Sequence, residues 1–342
     1  MKKIFTITIV VIIALFTFST LFAKKRTDKN RPSWLTNPYS KYPENRYLAV
    51  IGEGDSRAKA EANATANLSK IFETVVKSEE TVQERYLEIS SPNSAESSTM
   101  TDISQNISLT SNKTLFNVQY GDSFTDKLGK TYVLAYLDRN ETGRIYLERI
   151  EENADKIMFF IRSSTETEDV LKKYAYLSAA QVVTRINTEL LEQLQIVSPL
   201  SKATVMLEYD TNQLTIQAKE AAENLKFSIS IENDSDNKIT PVLSDLLTCY
   251  GFIVNSDGDI KINGSIEIEP VNLKREEQFV RWILNLNVQN SDGSTLISHS
   301  QSGREGHVNL SEAVARAYRT ADRDIRNDFN KKLLQFFDNL TK

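Results

Sequence analysis

The sequence predicts an α+β fold: two small α/β sandwiches, each an antiparallel or mixed sheet with a packed helix, joined by a helical arm. Three observations predict it. Short apolar or alternating segments bounded by turn residues fall in two separate stretches, around 47–51 and 131–137 and again around 227–231 and 280–289. Each stretch holds an alanine-rich helix start of the form S-x-A-x-A-x-A, at Ser56 and Ser311. Between them, residues 140–196 carry apolar side chains at helical intervals with no strand pattern. A chain of 342 residues, 40% hydrophobic and 25% charged, has enough apolar material for two cores.

The chain opens with Met1-Lys2-Lys3 and a run without charge from Ile4 to Ala23, the pattern of a secretory signal peptide cut after Ala23. An uncleaved anchor is the rival, and would give membrane association through this segment. The predicted organisation is therefore a signal peptide over 1–23, an extended N-terminal segment over 24–46, an α/β domain over 47–150, a helical connector over 151–224 and a C-terminal α/β domain over 225–342.

Within the extended segment, Pro32 and Pro38 disfavour regular helix. Trp34, one of two tryptophans, is a candidate clasp folded back on its own domain or a partner contact. Residues 47–51 read as a buried strand, with Gly52 and Gly54 forming a structural turn into a helix over 57–86, whose small-residue stripe is Ala58, Ala62 and Ala66. Residues 91–113 read as a loop or one weak strand, and 114–125 with 130–138 as a hairpin turned at Lys127-Leu128-Gly129. After the helical region, which Pro199 breaks, a further helix is expected over 201–224. The second sheet begins at 227–231. A helix over 241–250 stops at Gly251, and 252–254 and 260–262 flank Asp257-Gly258 as a hairpin. Two alternating strands and an Asp292-Gly293 turn precede a final helix over 311–340.

The chemistry-bearing residues are sparse. Gly52-Glu53-Gly54 lies where a phosphate-binding loop would, but Arg57 occupies the place of the third glycine, so a tight turn is expected and no nucleotide cofactor. The two histidines, His299 and His307, lack any zinc or triad context and are expected to be solvated. Asn255 to Asp259 resembles a calcium loop without its closing glutamate. Cys249 is the only cysteine, which excludes an intramolecular disulfide, and its apolar neighbours predict burial. A formal charge of -5 gives no electrostatic footprint for nucleic acid. No catalytic, cofactor or metal residue is expected.

Residues 31–150 resemble the LPP-twenty family of bacterial envelope lipoproteins, which includes flagellar assembly proteins. The resemblance is carried by Pro32-Ser33-Trp34, the strand from Tyr47 into the G-x-G turn, the Ala58/Ala62/Ala66 helix and Tyr132-Val133-Leu134-Ala135. It implies a small sheet with a long helix, an exported location in the periplasm or at the outer membrane, and an assembly or surface role without catalysis. The chain departs from the family in having no cysteine after its leader for lipid attachment. The expectation is a non-catalytic binding or assembly module whose partners are other envelope proteins or the cell wall, with self-association as a further option. The alternative is an envelope hydrolase or small-ligand enzyme using an interdomain cleft.

Overall fold

A computed structural model describes residues 31–75, 78–90, 107–110, 113–234, 236–272 and 276–342. The signal-peptide segment 1–23 lies outside the described residues, as does most of 91–113. Among the described residues no helix is long and apolar enough to cross a membrane.

The chain enters a first unit through strand β1 (Tyr47–Gly54) and helix α1 (Arg57–Lys70). It then leaves for a second unit, forming α2 (Glu80–Ser90), β2 (Ile107–Thr110) and β3 (Lys113–Phe116) there. It returns to the first for β4 (Gln119–Thr125) and β5 (Thr131–Asp138). From Arg139 onward it stays in the second, with α3 (Arg139–Glu166), α4 (Val170–Val197), α5 (Pro199–Thr204) and α6 (Thr211–Glu223). There follow β6 (Lys226–Glu232), α7 (Thr240–Cys249), β7 (Ile253–Val254), β8 (Ile260–Val271), β9 (Gln278–Gln289) and β10 (Thr295–His307). The chain closes on α8 (Leu310–Asp324), a π-helical turn over Ile325–Phe329 and α9 (Asn330–Asn339). The α+β class expected from the sequence is the class observed. The boundaries differ: the first unit ends at Asp138 rather than at 150, and it is interrupted by the excursion through 71–117.

The first unit is a three-stranded antiparallel sheet in the order β1-β5-β4. One face carries Leu48, Val50, Gly52 and Gly54 of β1 opposite Leu137, Ala135, Val133 and Thr131 of β5, and α1 packs on it. Alternate residues therefore point to the helix, the period-two pattern of a strand with one covered face. The β4–β5 turn falls where expected, with Gly129 at φ +83° and the Asp126 carboxylate accepting from the amides of Leu128 and Lys130.

The α1 helix corrects two expectations. It stops at Lys70, so the predicted helix over 57–86 is two helices, in two units. Apolar spacing counts buried positions but does not say which core they enter. The buried stripe is Ala60, Ala64 and Leu68, not Ala58, Ala62 and Ala66, which are exposed. Alanine at every second position from 58 to 66 fits either phase.

The second unit is built on a five-stranded mixed sheet in the order β10-β9-β8-β6-β7. The predicted hairpin across Asp257-Gly258 is not formed: β6 lies between β7 and β8 and pairs with both in parallel. Gly258 serves that crossing, since a Cβ there would lie 2.2 Å from the backbone of Phe227. The Asp292-Gly293 turn does join β9 to β10 as a hairpin, with Gly293 at φ +85°.

The expected helical connector is no arm. Side chains of α3, α4 and α6, among them Ile157, Tyr174, Val183 and Leu214, enter one core with Phe227, Trp282 and Leu284 of the sheet and Phe329 and Phe337 of the terminal helices. The α3–α4 pair is a helical hairpin tied by buried polar bonds. Tyr146 donates to Gln193 at 2.8 Å, and Asn187 donates to the Ile150 carbonyl and to Tyr209. Tyr86 of α2 donates to Asn153 at 2.9 Å, which brings the excursion into the same network. A fully satisfied buried network fixes a unique packing.

Candidate functional site

Three helices of the second unit frame an open cleft of about 880 Å³. Its floor is α4, its walls are α2 and α6, and the end of α7 with Gly251 closes one end beside Asn330 and Leu334 of α9. The walls follow from helical periodicity. Tyr174, Ser178, Gln181, Val182 and Arg185 lie at i, i+4, i+7, i+8 and i+11 along one face of α4, and Thr211, Leu214, Thr215, Ala218 and Lys219 lie at i, i+3, i+4, i+7 and i+8 along α6.

The apolar lining residues Val82, Val182, Leu214, Ala218 and Leu334 are buried and belong to the core below. Among the polar lining residues, Thr81, Thr215, Thr248, Arg185 and Lys219 are exposed and Gln181 is half-buried. Burial pushes the Tyr174 hydroxyl up to about 12, so it remains a neutral hydrogen-bonding group. Arg85 forms the boundary with α9. Its guanidinium grips Asp338 with bonds of 2.6–3.1 Å and donates to Ser178 at 3.1 Å. Cys249 is exposed on this cleft, correcting the expectation of burial. Its apolar neighbours Leu246 and Leu247 take the core side of α7, and the cysteine falls on the other face.

The residues singled out from sequence lie elsewhere. Trp34 sits in a 3₁₀ turn over Ser33–Leu35, is 4% exposed and packs on Ala49 and Leu134 of its own unit. Gly52 and Gly54 lie within β1 rather than in the turn, which is left to Asp55 and Ser56. A Cβ on Gly52 would stand 2.1 Å from the Ala64 nitrogen and 2.2 Å from the Ala60 carbonyl oxygen. These glycines let helix and strand backbones meet. The segment offers no phosphate loop, because the space above it is filled by α1.

His299 is likewise not the solvated loop residue expected. It is buried on the inner face of β10, and its Nε2 lies 2.6 Å from the Asp324 carboxylate at the end of α8. The carboxylate only accepts, so Nε2–H donates. The remaining Nδ1 and the other Asp324 oxygen have no partner among the described residues. The pair joins strand to helix inside the core, away from the cleft residues. No group of three or more metal-ligating side chains occurs among the described residues.

Sequence reasoning missed the cleft because Arg185, Lys219 and Thr184 each look like ordinary helix residues. The available signal was the placing of Gln181 and Arg185 on one face of α4 within the stretch 179–186, which is otherwise apolar or small.

With the geometry in place, comparison with known proteins adds the following. The LPP20 lipoprotein family model matches residues 32–138. No curated protein matches. Among solved structures, the secreted protein HP1454 from Helicobacter pylori is 13% identical with a TM-score of 0.42, over 82% of this chain and 97% of that one. A minor lipoprotein from Acinetobacter baumannii is 12% identical with a TM-score of 0.25, over 34% of this chain and 93% of that one.

Proposed function

We propose that the chain is an exported protein of the cell envelope and a non-catalytic binding or assembly module, working in the periplasm or at the outer membrane, a reading supported by the match of residues 32–138 to the LPP20 lipoprotein family model. The observation that carries this reading is the cleft of the second unit. It is open, and its exposed lining includes Thr81, Thr215, Thr248, Arg185 and Lys219. An enzyme brings a nucleophile, a base and an orienting group within hydrogen-bond reach. Here the bonded His299–Asp324 pair is shut in the core, and the cleft's thiol, Cys249, has no histidine among the residues around the cleft. Other envelope proteins, the cell wall or a second copy of the chain are the partners in view.

Crosslinking in cells tests the reading. A photo-crosslinking residue at Thr215, on the cleft wall, should give a discrete adduct, and one at Leu128, on an exposed turn of the first unit, should not. Turnover of an envelope substrate by the purified protein, without any adduct, overturns it. Fractionation of the mature protein between soluble periplasm and outer membrane decides the compartment.

A further inference from the structure

We propose that the cleft holds an anionic sugar, its acid group bound by Arg185 and Lys219 and its hydroxyls by the surrounding hydroxyl and amide side chains. The inference rests on the binding-module reading and adds the class of ligand.

Charge points to an anion. Three cations, Arg85, Arg185 and Lys219, line the cleft against one carboxylate, Glu79, in a protein whose formal charge is -5. Arg85 is committed to Asp338. Lys219 has only a loose, exposed contact with Glu223 at 3.7 Å, and Arg185 makes no ion pair among the described residues. These two can therefore turn to an acid group, and a charge-assisted bond is the stronger kind.

The rest of the lining points to a sugar. Thr81 and Gln181 offer donors and acceptors at the walls, and Thr215 and Thr248, whose hydroxyls donate to the carbonyls of Thr211 and of Ser244 and Asp245, offer acceptors, which is what a polyhydroxylated ligand consumes. Thr184 adds an independent sign. It lines the cleft at 3% exposure, and its hydroxyl has no partner among the described residues, whereas buried hydroxyls are ordinarily bonded. A cleft of about 880 Å³ is of the size that takes a small ligand such as a disaccharide.

The aliphatic lining residues lie in the core beneath the cleft, from Leu214 at 2% exposure to Val82 at 9%.

Cys249 supplies the test. It is the only cysteine, it is exposed and it lines the cleft, so the alkylation rate of the native chain reports occupancy. The probes are N-acetylglucosaminyl-N-acetylmuramic acid, carrying a carboxylate, and glucosamine 1-phosphate, carrying a phosphate. The neutral disaccharide chitobiose and a tetraglutamate peptide are the controls. At least one anionic sugar should slow alkylation saturably by roughly fivefold or more, as access to the thiolate is lost. Which of the two protects separates a cell-wall source from a phosphorylated glycan. Chitobiose should not protect. The double variant Arg185→Gln, Lys219→Gln should need roughly tenfold more sugar, the scale of a lost charge-assisted bond, with an unchanged melting temperature because both side chains are exposed. The proposal fails if neither anionic sugar protects, if chitobiose protects as well, or if the double variant binds like the native chain. It fails also if tetraglutamate alone protects, since the partner is then an acidic protein segment. An adduct at Thr215 without sugar protection refutes the sugar and leaves the binding module standing.

Discussion

Gly52 and Gly129 are required for different reasons. Gly52 allows contact between backbones, whereas Gly129 supplies a positive φ with open space around it. Gly52→Ala drives a methyl into the α1 backbone and should cost about 3 kcal/mol or more, as overpacking does when neither element can yield. Gly129→Ala should cost only about 1–2 kcal/mol, the penalty for a left-handed residue. Urea denaturation of the two variants separates the mechanisms. Trp34→Ala empties a buried indole site and should cost about 3–5 kcal/mol in the same assay. Asp234 gives a pH dependence. Burial raises its pKa, but bonds from the amides of Thr240, Lys238 and Ile239 and from the Thr240 hydroxyl outweigh this and hold it below the ordinary 3.8. A depressed carboxylate stabilises the fold above its unfolded pKa, and the contribution is lost as pH falls through the lower folded value. Asp234→Ala should therefore cost about 1–2 kcal/mol at pH 7, like a lost helix cap. That difference should shrink in melts taken progressively below pH 3.8.

Elements show how periodicity meets packing. Ala313, Ala317, Ala321, Ile325, Phe329, Leu333 and Phe337 are all buried at strict four-residue intervals. An α-helix turns every 3.6 residues, so such a stripe drifts by about 0.4 residue at each step. The π turn over Ile325–Phe329 takes up an extra residue and brings the stripe back toward the sheet. The α2 helix depends on a different device. Arg85 and Asp338 form an ion pair in which their side chains are only 13% and 2% exposed, and Val82, Tyr86 and Ile89 supply the apolar contact. Arg85→Met strands a buried carboxylate and should cost about 3–5 kcal/mol. The pair Arg85→Met, Asp338→Leu should recover most of that, since an apolar pair replaces the ion pair without an unpaired charge. Equilibrium urea melts of the single and double variants check the ordering.

At the scale of the whole chain, the family match over 32–138 and the compact units do not coincide. The described residues between 71 and 117 lie inside the matched stretch but fold with the second unit. A fragment of residues 31–138 should consequently expose the apolar side of α2, bind a hydrophobic dye and associate. The same fragment with 71–117 replaced by a short Gly/Ser linker should stay monomeric and lose dye binding. Equal behaviour of the two fragments in sedimentation and dye titration would show that α2 finds cover within the first unit when it is isolated.

The sequence by itself determined the α+β class, most strands, the two helical halves of the α3–α4 hairpin and the turns at Gly129 and Gly293. Each of these depends on a local pattern of two or 3.6 residues, or on a residue suited to a positive φ. The tertiary structure alone decided the rest. It chose Ala60 and Ala64 over Ala58 and Ala62, because only the position of Gly52 fixes the phase of an alternating alanine run. It put β6 between β7 and β8, because strand pairing is a choice among distant partners that no local turn signal encodes. It buried His299 beside Asp324, 25 residues away, and exposed Cys249, because the face a side chain takes depends on what packs against its element. The cleft was out of reach for the same reason: α2, α4 and α6 bring together residues from 79 to 334, and only the packed core sets them side by side.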